Sequence, residues 1–558
     1  MLDNILEIYK HSTYNFIDSA NDNDPLKHLF EEWLPYYRLK WAVANAIKPK
    51  RVLEIGVRFG YSAMAFLDAS PGCEYVGIDA NLPEYGGEVG ALDWAKKQLR
   101  DKKASFIEDN SQNLIEFPGG LYDLIHVDGQ QDGDGFYRDM QKALKQSRYI
   151  LVDGALWTNE NALSSISFIK DYKDSLDWSI FIPGYAGELL IKVKDKIETL
   201  GEVTSSQDVK GLYQNNYYLE DCGGFHDYKE TGGTVLGDLR LKSVFMLADV
   251  KNGEHILDAG CGRGEMAYAL AKVGATVEAV DYSDSAVALA KKVFANEPEL
   301  KERVTFKCED ITKLTGDKQF DSILASDLIE HLMPAELDKM YANFSSRLSE
   351  NGEFVIHTFP NLWFYKYGYE RQRRIIRKQG GFLSPDPRTH YERLMHINEQ
   401  SPRVLKKQLE NHFSYVLVWF GNPMNPIDSL NRKYNPSDCI QTRDLFAIAS
   451  NTPISTENIR QRLTQKRLTS VQHAEINLDK NYIENSVNQD HRLIANINIQ
   501  NNSSERISSL GKEPIHLSYH WVSKTGEMVE FEGERFSIPI ISSGQNDDVT
   551  IRIVPPPI

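Results

Sequence analysis

The chain of 558 residues is too long for one hydrophobic core, and at roughly 150 residues per domain it predicts about three or four units. Hydrophobic residues make up 41%, enough for globular packing; no run approaches the roughly 20 apolar residues of a membrane span, and Met1 to Asn15 lacks the basic start and apolar run of a secretion signal, so a cytoplasmic location is expected. Lys and Arg total 63 against 79 Asp and Glu, and the formal charge of −16 repels a phosphate backbone, which excludes nucleic acid as a general partner.

From Tyr37 to Val193 short apolar runs alternate with helical stretches, and Arg51 to Ile55, Glu74 to Ile78, Ala104 to Ile107, Leu121 to Val127 and Tyr149 to Val152 are expected as strands. Strands alternating with helices predict parallel βαβ units. The charged segment Lys192 to Glu202 and the polar Val203 to Gly211 are expected to link to a second copy of this rhythm. Its strands are expected at His255 to Leu257, Thr276 to Val280, Arg303 to Lys307, Phe320 to Ala325 and Glu353 to Thr358.

Thr452 to Asp490 is polar and weakly periodic apart from a short helix at Glu457 to Arg467, and reads as a tether. His491 to Ile558 changes period: Arg492 to Ile499, Ile515 to Val522 and Met528 to Glu532 alternate apolar with polar residues, as strands of an antiparallel sandwich do. The pattern stops at Pro555-Pro-Pro557 without final strands, which predicts an incomplete module. Cys73, Cys222, Cys261, Cys308 and Cys439 are scattered, odd in number and never in a CxxC pair, so they are expected as free thiols.

The second copy holds the stronger chemical signal. The run His255-Ile-Leu-Asp-Ala-Gly-Cys-Gly-Arg-Gly-Glu265 ends a strand in Asp258, turns through Gly260, Gly262 and Gly264, and enters a helix at Met266. Glycines there let the backbone take positive φ and let a ligand approach. Asp281 ends the next strand, where a carboxylate can accept hydrogen bonds from both hydroxyls of a ribose. Glu309-Asp310-Ile311 ends the third, setting an acid and an apolar side chain beside an adenine, and Asp327 ends the fourth, followed by Leu328-Ile-Glu-His331. This series, covering about Tyr217 to Ser450, resembles the class I S-adenosylmethionine-dependent methyltransferases. The resemblance implies cofactor contacts from Asp258, Gly260, Gly262, Gly264, Asp281, Asp310, Ile311 and Asp327. For any one of these acids a helix cap or loop turn is the alternative.

Methyl transfer to oxygen needs an acceptor in line with the methyl group and a base to take its proton. His331, His357 and His396 are the candidates, each with a capping or packing role as the alternative. His331 ranks first, because it falls where the Glu-His pair stands in ubiquinone-type O-methyltransferases. His390 to Gln400 resembles the substrate-side insertion of methyltransferases from polysaccharide and natural-product clusters. Tyr217-Tyr-Leu-Glu-Asp-Cys-Gly-Gly-Phe225 is either a lid across the cofactor or an ordinary connector.

In the first copy, Val52-Leu-Glu-Ile-Gly-Val-Arg-Phe-Gly-Tyr-Ser62 keeps Glu54, Gly56 and Gly60, with Arg58 where the middle glycine usually stands. This form resembles the catechol-type and macrocin-type O-methyltransferases, which implies cofactor contacts from Glu54, Gly56, Gly60, Asp79 and Asp109. It also implies a Mg2+ site at Asp128 and Asp153, although Gly154 removes the next ligand and Gln130 and Gln131 stand where a base is expected. Asp132 or Asp134 remains as a further ligand, and the fold is either metal-dependent or silent.

His491 to Ile558 resembles the β-sandwich of polysaccharide-export and glycan-modifying proteins, in which Leu517-Ser-Tyr-His-Trp521 and Glu532-Gly-Glu-Arg535 are typical; Tyr519 and Trp521 are candidates to stack on a sugar, but alternation is read as turning one inward, and a core role is expected for Trp521. Lys366 to Lys378, with Arg371, Arg373, Arg374 and Arg377, is a pyrophosphate or peripheral membrane contact or a solvated helix face.

The expected architecture is therefore α/β: two Rossmann-like class I methyltransferase folds plus a C-terminal all-β sandwich. The boundaries are 1–197 for the first fold, 198–450 for the second, 451–490 for a linker and 491–558 for the sandwich. The expected function is S-adenosyl-L-methionine-dependent O-methylation of a sugar hydroxyl in a polysaccharide or glycosylated metabolite, catalysed by the second fold. A bifunctional enzyme and a non-catalytic glycan-binding assembly or length-control component are the alternatives, and a homo-oligomer stays open.

Overall fold

The structure, a computed structural model, describes residues 1–195, 205–422, 430, 442–464, 466–484, 493–509, 513–530, 533–538, 540–541 and 543–553. The chain divides into two compact units, Met1–Thr199 with Arg371–His390, and Leu200–Glu370 with Tyr391–Ile558.

The first unit is built on β1 (Arg51–Ile55), β2 (Glu74–Asp79), β3 (Ala104–Glu108), β4 (Tyr122–Val127), β5 (Ser147–Val152), β6 (Leu176–Ile182) and β7 (Glu188–Val193). They form one sheet in the order β3-β2-β1-β4-β5-β7-β6. Strands β1 to β5 pair in parallel, and β7 runs antiparallel to both β5 and β6. A parallel strand covered on both faces reads as a continuous apolar run, and Val52, Leu53 and Ile55 of β1 are all buried, as are Leu124, Ile125 and Val127 of β4. The order of the strands reverses between β1 and β4, so a crevice opens at their carboxyl ends, where open α/β sheets take ligands. The antiparallel pair is absent from the sequence reading for two reasons: β6 is a mostly half-buried edge strand, and the buried run Leu189-Leu190-Ile191 of β7 leads directly into the charged segment read as a linker. Residues 196–204 of that segment lie outside the described residues.

The second unit repeats the plan. Its strands are β8 (His255–Ala259), β9 (Thr276–Asp281), β10 (Val304–Cys308), β11 (Phe320–Ser326), β12 (Leu348–Thr358), β13 (Tyr415–Phe420) and β14 (Leu445–Ser450), in the order β10-β9-β8-β11-β12-β14-β13. Here β14 is antiparallel to both β12 and β13. One buried cluster gathers Val244, Leu247, Leu270 and Phe294, and another gathers Leu337, Met340, Tyr341, Phe344 and Leu405. Both copies are thus Rossmann-like sheets of seven strands with helices packed against them.

The tract expected as a tether carries helix Thr456–Leu463 and β15 (Ile476–Glu484), while residues 485–490 lie outside the described residues. Ile459 and Leu463 of that helix enter the core of the second fold, and Arg462 ion-pairs with Glu353 of β12. β15 pairs with β16 (Leu493–Asn501), which pairs with β21 (Gln545–Ile553); β17 (His516–Ser518) with β20 (Arg535–Ser537) and β18 (Trp521–Val522) with β19 (Met528–Glu530) make two short hairpin-like pairs. Along β16 every second residue is buried, with Ala495, Ile497 and Ile499 meeting Val549 and Ile551. The polar start Gln545-Asn-Asp-Asp548 hides β21 from a pattern search. Glu532 and Pro555 to Pro557 lie outside the described residues. Tyr519, just past β17, and Trp521, the first residue of β18, are both half-buried with their rings edge to face at 6.1 Å. Cys73, Cys222, Cys261 and Cys308 are free, and Cys439 lies outside the described residues. Among the described residues no helix is long and apolar enough to cross a membrane.

Candidate functional site

In the second fold β8 delivers Asp258 to the glycine loop, where Gly260, Gly262 and Gly264 all have positive φ. A Cβ on Gly264 would stand 2.7 Å from Ala290 Cβ and 2.8 Å from its Cα, so the helix Glu265–Val273 lies against the helix Asp284–Val293 only because that side chain is missing. Asp258 is buried and its Oδ2 has no hydrogen-bond partner among the described residues; burial, with Asp281 and Glu265 nearby, pushes its carboxyl up to about 7. Asp281 accepts the Gly262 amide on Oδ2 at 3.0 Å and the Ser283 amide on Oδ1 at 2.9 Å, and burial still raises it to about 6. At the end of β10, Asp310 caps its own turn: Oδ1 accepts from the Thr312 amide at 3.0 Å, and Oδ2 lies 3.0 Å from Lys313 Nζ. Ile311 beside it is buried. Because β10, β9 and β8 are neighbours, Asp310, Asp281 and Asp258 stand along one edge of the sheet. Arg263 in the glycine loop donates to the carbonyls of Tyr218 at 2.8 Å and Gly223 at 2.7 Å, which ties the Tyr217 to Phe225 segment to the loop.

The three histidines do not share one environment. Asp327, with φ of 51°, accepts from Arg240 Nη1 at 2.5 Å and from His357 Nδ1 at 2.7 Å, and the other His357 nitrogen lies 3.1 Å from Asp444 Oδ1. Burial opposes a charge on His357, but the two carboxylates outweigh it and raise the imidazole to about 10. Both nitrogens donate, so near neutral pH His357 has no lone pair with which to take a proton. His331 and His396 come together instead, with ring centroids 4.8 Å apart. His331 Nδ1 lies 3.0 Å from the Met395 carbonyl, and burial, then His396, pushes the ring down to about 3. His396 Nδ1 lies 3.7 Å from Glu399 Oε1. Beside them Glu330 is buried, its Oε2 accepting from Thr358 Oγ1 at 2.9 Å while Oε1 has no hydrogen-bond partner among the described residues. Burial and Asp327 push Glu330 up to about 8. The sequence reading does not single out Glu330; its only signal is its place before His331.

In the first fold a cleft of about 390 Å3 runs past Gly56, Gly60, Asp79, Asp109, Asp128 and Asp153, under Trp33, Tyr36, Tyr37, Trp157 and Tyr185. A Cβ on Gly56 would lie 2.0 Å from the Asp128 carbonyl oxygen. Asp79 Oδ2 accepts the amides of Val57 and Arg58, each at 2.8 Å, and Asp109 Oδ1 accepts the Asn110 amide at 2.7 Å. Glu54 faces inward: Ser62, Tyr75 and His126 Nδ1 all engage its carboxylate, which burial raises to about 7.

The expectation of a Mg2+ site at Asp128 and Asp153 gains no support, and the reason is electrostatic. Lys40, fully buried, lies 2.8 Å from His126 Nε2, 2.9 Å from Glu188 Oε1 and 3.8 Å from Asp153 Oδ2, and Tyr36 donates to Asp153. The ammonium supplies the positive charge that an ion would bring. Asp132 accepts the Gly135 amide at 2.7 Å, and Asp134 pairs with Arg373 and Arg377, so neither turns toward the pair. The basic stretch is thereby accounted for in part: Arg373 is buried on Asp134, and Arg377 also reaches Glu160 at 2.8 Å.

Sheets of this order, each with a glycine turn after the first strand and acids at successive strand ends, define the class I methyltransferase fold, present here twice. Residues 39–165 match the family model described as O-methyltransferase, and residues 256–352 match the one described as methyltransferase domain. The chain thus carries two methyltransferase domains. It is 35% identical over 136 residues to a ubiquinone biosynthesis O-methyltransferase of Coxiella burnetii, covering 24% of this chain and 55% of that protein. It is 30% identical over 210 residues to the chloroplastic magnesium protoporphyrin IX methyltransferase of Arabidopsis thaliana, covering 36% of this chain and 63% of that protein. The chain therefore spans between half and two thirds of the length of these relatives. A solved magnesium protoporphyrin IX methyltransferase from Synechocystis PCC 6803 with bound SAH is 15% identical with a TM-score of 0.29, covering 44% of this chain and 99% of that one.

Proposed function

We propose that the protein is an S-adenosylmethionine-dependent O-methyltransferase whose second fold is catalytic, with a sugar hydroxyl of a polysaccharide or glycosylated metabolite as acceptor. The observation that carries this reading is the buried Asp258 Oδ2, without a partner among the described residues and beside a glycine loop that Asp281 ties in place. A buried carboxylate oxygen without a donor is costly, and a cationic or hydroxyl-bearing ligand on the loop relieves that cost. Asp258 then faces a donor group of the cofactor, Asp281 the ribose hydroxyls, and Ile311 the adenine ring. The cofactor brings the activated methyl group, and the chain orients it. Transfer forms a C–O bond as the C–S bond breaks, and the hydroxyl proton leaves on the side of Glu330, His331 and His396. The sugar assignment rests on the resemblance of His390 to Gln400 and of the C-terminal strands to proteins that modify glycans.

The 390 Å3 cleft of the first fold supports a second reading, a bifunctional enzyme with a cofactor site in each half. Calorimetry of the full chain with S-adenosylhomocysteine tests both. One site weakened by Asp281→Ala fits the first reading; two sites, of which Asp281→Ala weakens one, fit the second. Binding untouched by Asp281→Ala overturns the placement of the cofactor in the second fold.

A further inference from the structure

We propose that Glu330, His331 and His396 form a binding site for a divalent ion of the zinc class in the second fold. Each offers one ligand atom, and these atoms all lie within 4.8 Å of one another. The convergence is built by the chain. The short turn Ile329–His331 sets Glu330 and His331 side by side just past the carboxyl end of β11, and His396 arrives 65 residues later after helix His390–Met395. Asn398 fastens the two segments, its amide donating to the Glu330 carbonyl at 2.9 Å and its Nδ2 to the Leu332 carbonyl at 2.8 Å.

Two features point to a cation. A carbonyl can only accept, so the 3.0 Å contact with Met395 puts the His331 proton on Nδ1 and leaves the lone pair on Nε2, the arrangement by which a second partner orients a ligating imidazole. Thr358 orients Glu330 through Oε2, leaving Oε1 buried and without a hydrogen-bond partner among the described residues, a position that a positive charge stabilises. Two imidazoles and one carboxylate suit zinc and related ions with open positions, whereas magnesium prefers an all-oxygen set. The ion's chemical use rests on the reading of this fold as an O-methyltransferase. An acceptor hydroxyl on the open position is acidified, loses its proton to solvent, and attacks the methyl carbon as the C–S bonding pair leaves with sulfur.

The full chain, stripped with a chelator and dialysed, is titrated with zinc, and its affinity for S-adenosylhomocysteine is measured in parallel. We expect one tightly held zinc per chain, with affinity lowered about a hundredfold or more in His331→Ala and His396→Ala and restored in part by cysteine at either position, while S-adenosylhomocysteine still binds. Zinc K-edge absorption of the unsubstituted chain, which depends on no variant, should show two imidazole ligands and carboxylate oxygen. Zinc uptake no tighter than that of the His331→Ala/His396→Ala double variant, loss of zinc in Asp128→Asn instead, or an absorption shell with fewer than two imidazoles overturns the proposal. If zinc binds as expected but S-adenosylhomocysteine does not bind the unsubstituted chain, the ion site stands and the methyltransferase reading falls; the converse result sinks the ion site alone.

Discussion

His357 Nδ1 lies 2.7 Å from Asp327 Oδ1, joining the ends of β12 and β11 by a buried ion pair that Arg240 and Asp444 extend. The pair gives stability a defined pH dependence. The folded-state value of His357, about 10, is above the unfolded one, so its contribution is complete below about pH 6.5 and is lost as pH rises toward 10. Arg240 and His357 hold Asp327 well below the usual carboxylate range, so its share is present at neutral pH and lost as pH falls below about 4. Denaturant unfolding of the second unit should therefore weaken between pH 7 and 10 by up to about 1.4 kcal/mol per pH unit. In His357→Gln that slope should be absent; an unchanged slope would show that the imidazole is not charged.

Asp281 should matter to the cofactor more than to the fold. Asp281→Ala frees backbone amides at the rim of the loop, those of Gly262, Tyr282 and Ser283, yet it deprives the ribose of its acceptor. S-adenosylhomocysteine affinity of the second site should fall roughly tenfold to a hundredfold, the worth of one or two hydrogen bonds to a charged group. Calorimetry reads the affinity, and a melting curve checks that the fold survives.

Lys40 should be indispensable to the first unit. Lys40→Met removes the ammonium from among Asp153, Glu188 and His126 and leaves buried carboxylates without their counter-charge, at a cost of about 3–5 kcal/mol. Urea unfolding should show the first unit destabilised by this amount. A neutral effect would mean that water or protonation of Glu188 makes good the loss.

His331 and His357 should separate kinetically. His331→Ala should lower the turnover number roughly a hundredfold or more with cofactor affinity nearly unchanged, because its ring lies on the acceptor side beside His396. His357→Gln should act mainly through stability. Full turnover in His331→Ala would move the chemistry elsewhere in the chain.

The two sheets were legible where the signal is local. Asp258 and Asp281 lie at the ends of β8 and β9 as the run of strand, acid and glycine turn predicts, and Glu54 and Asp79 likewise end up in or beside the last residues of β1 and β2. The antiparallel strands β6, β7, β13 and β14 were not, since edge position or neighbouring charge blurs their pattern. Asp310 stands where the sequence puts it, but only the structure shows its oxygens committed to Thr312 and Lys313.

Strand ends, glycine turns and apolar runs are settled by residues within a few positions of one another, and so the repeated α/β plan and the places of its acids could be read from the order of amino acids alone. What each polar group does there depends on partners far along the chain. Asp444 is 87 residues from the histidine it charges, His396 is 65 from the one it faces, and Lys40 meets Glu188 across 148. Burial then amplifies every such meeting, because charges removed from water respond to a single neighbour by several pK units. Which histidine is charged, which carboxylate lacks a partner among the described residues and which acids a buried amine pairs with were therefore decided only when the sheets brought those residues together.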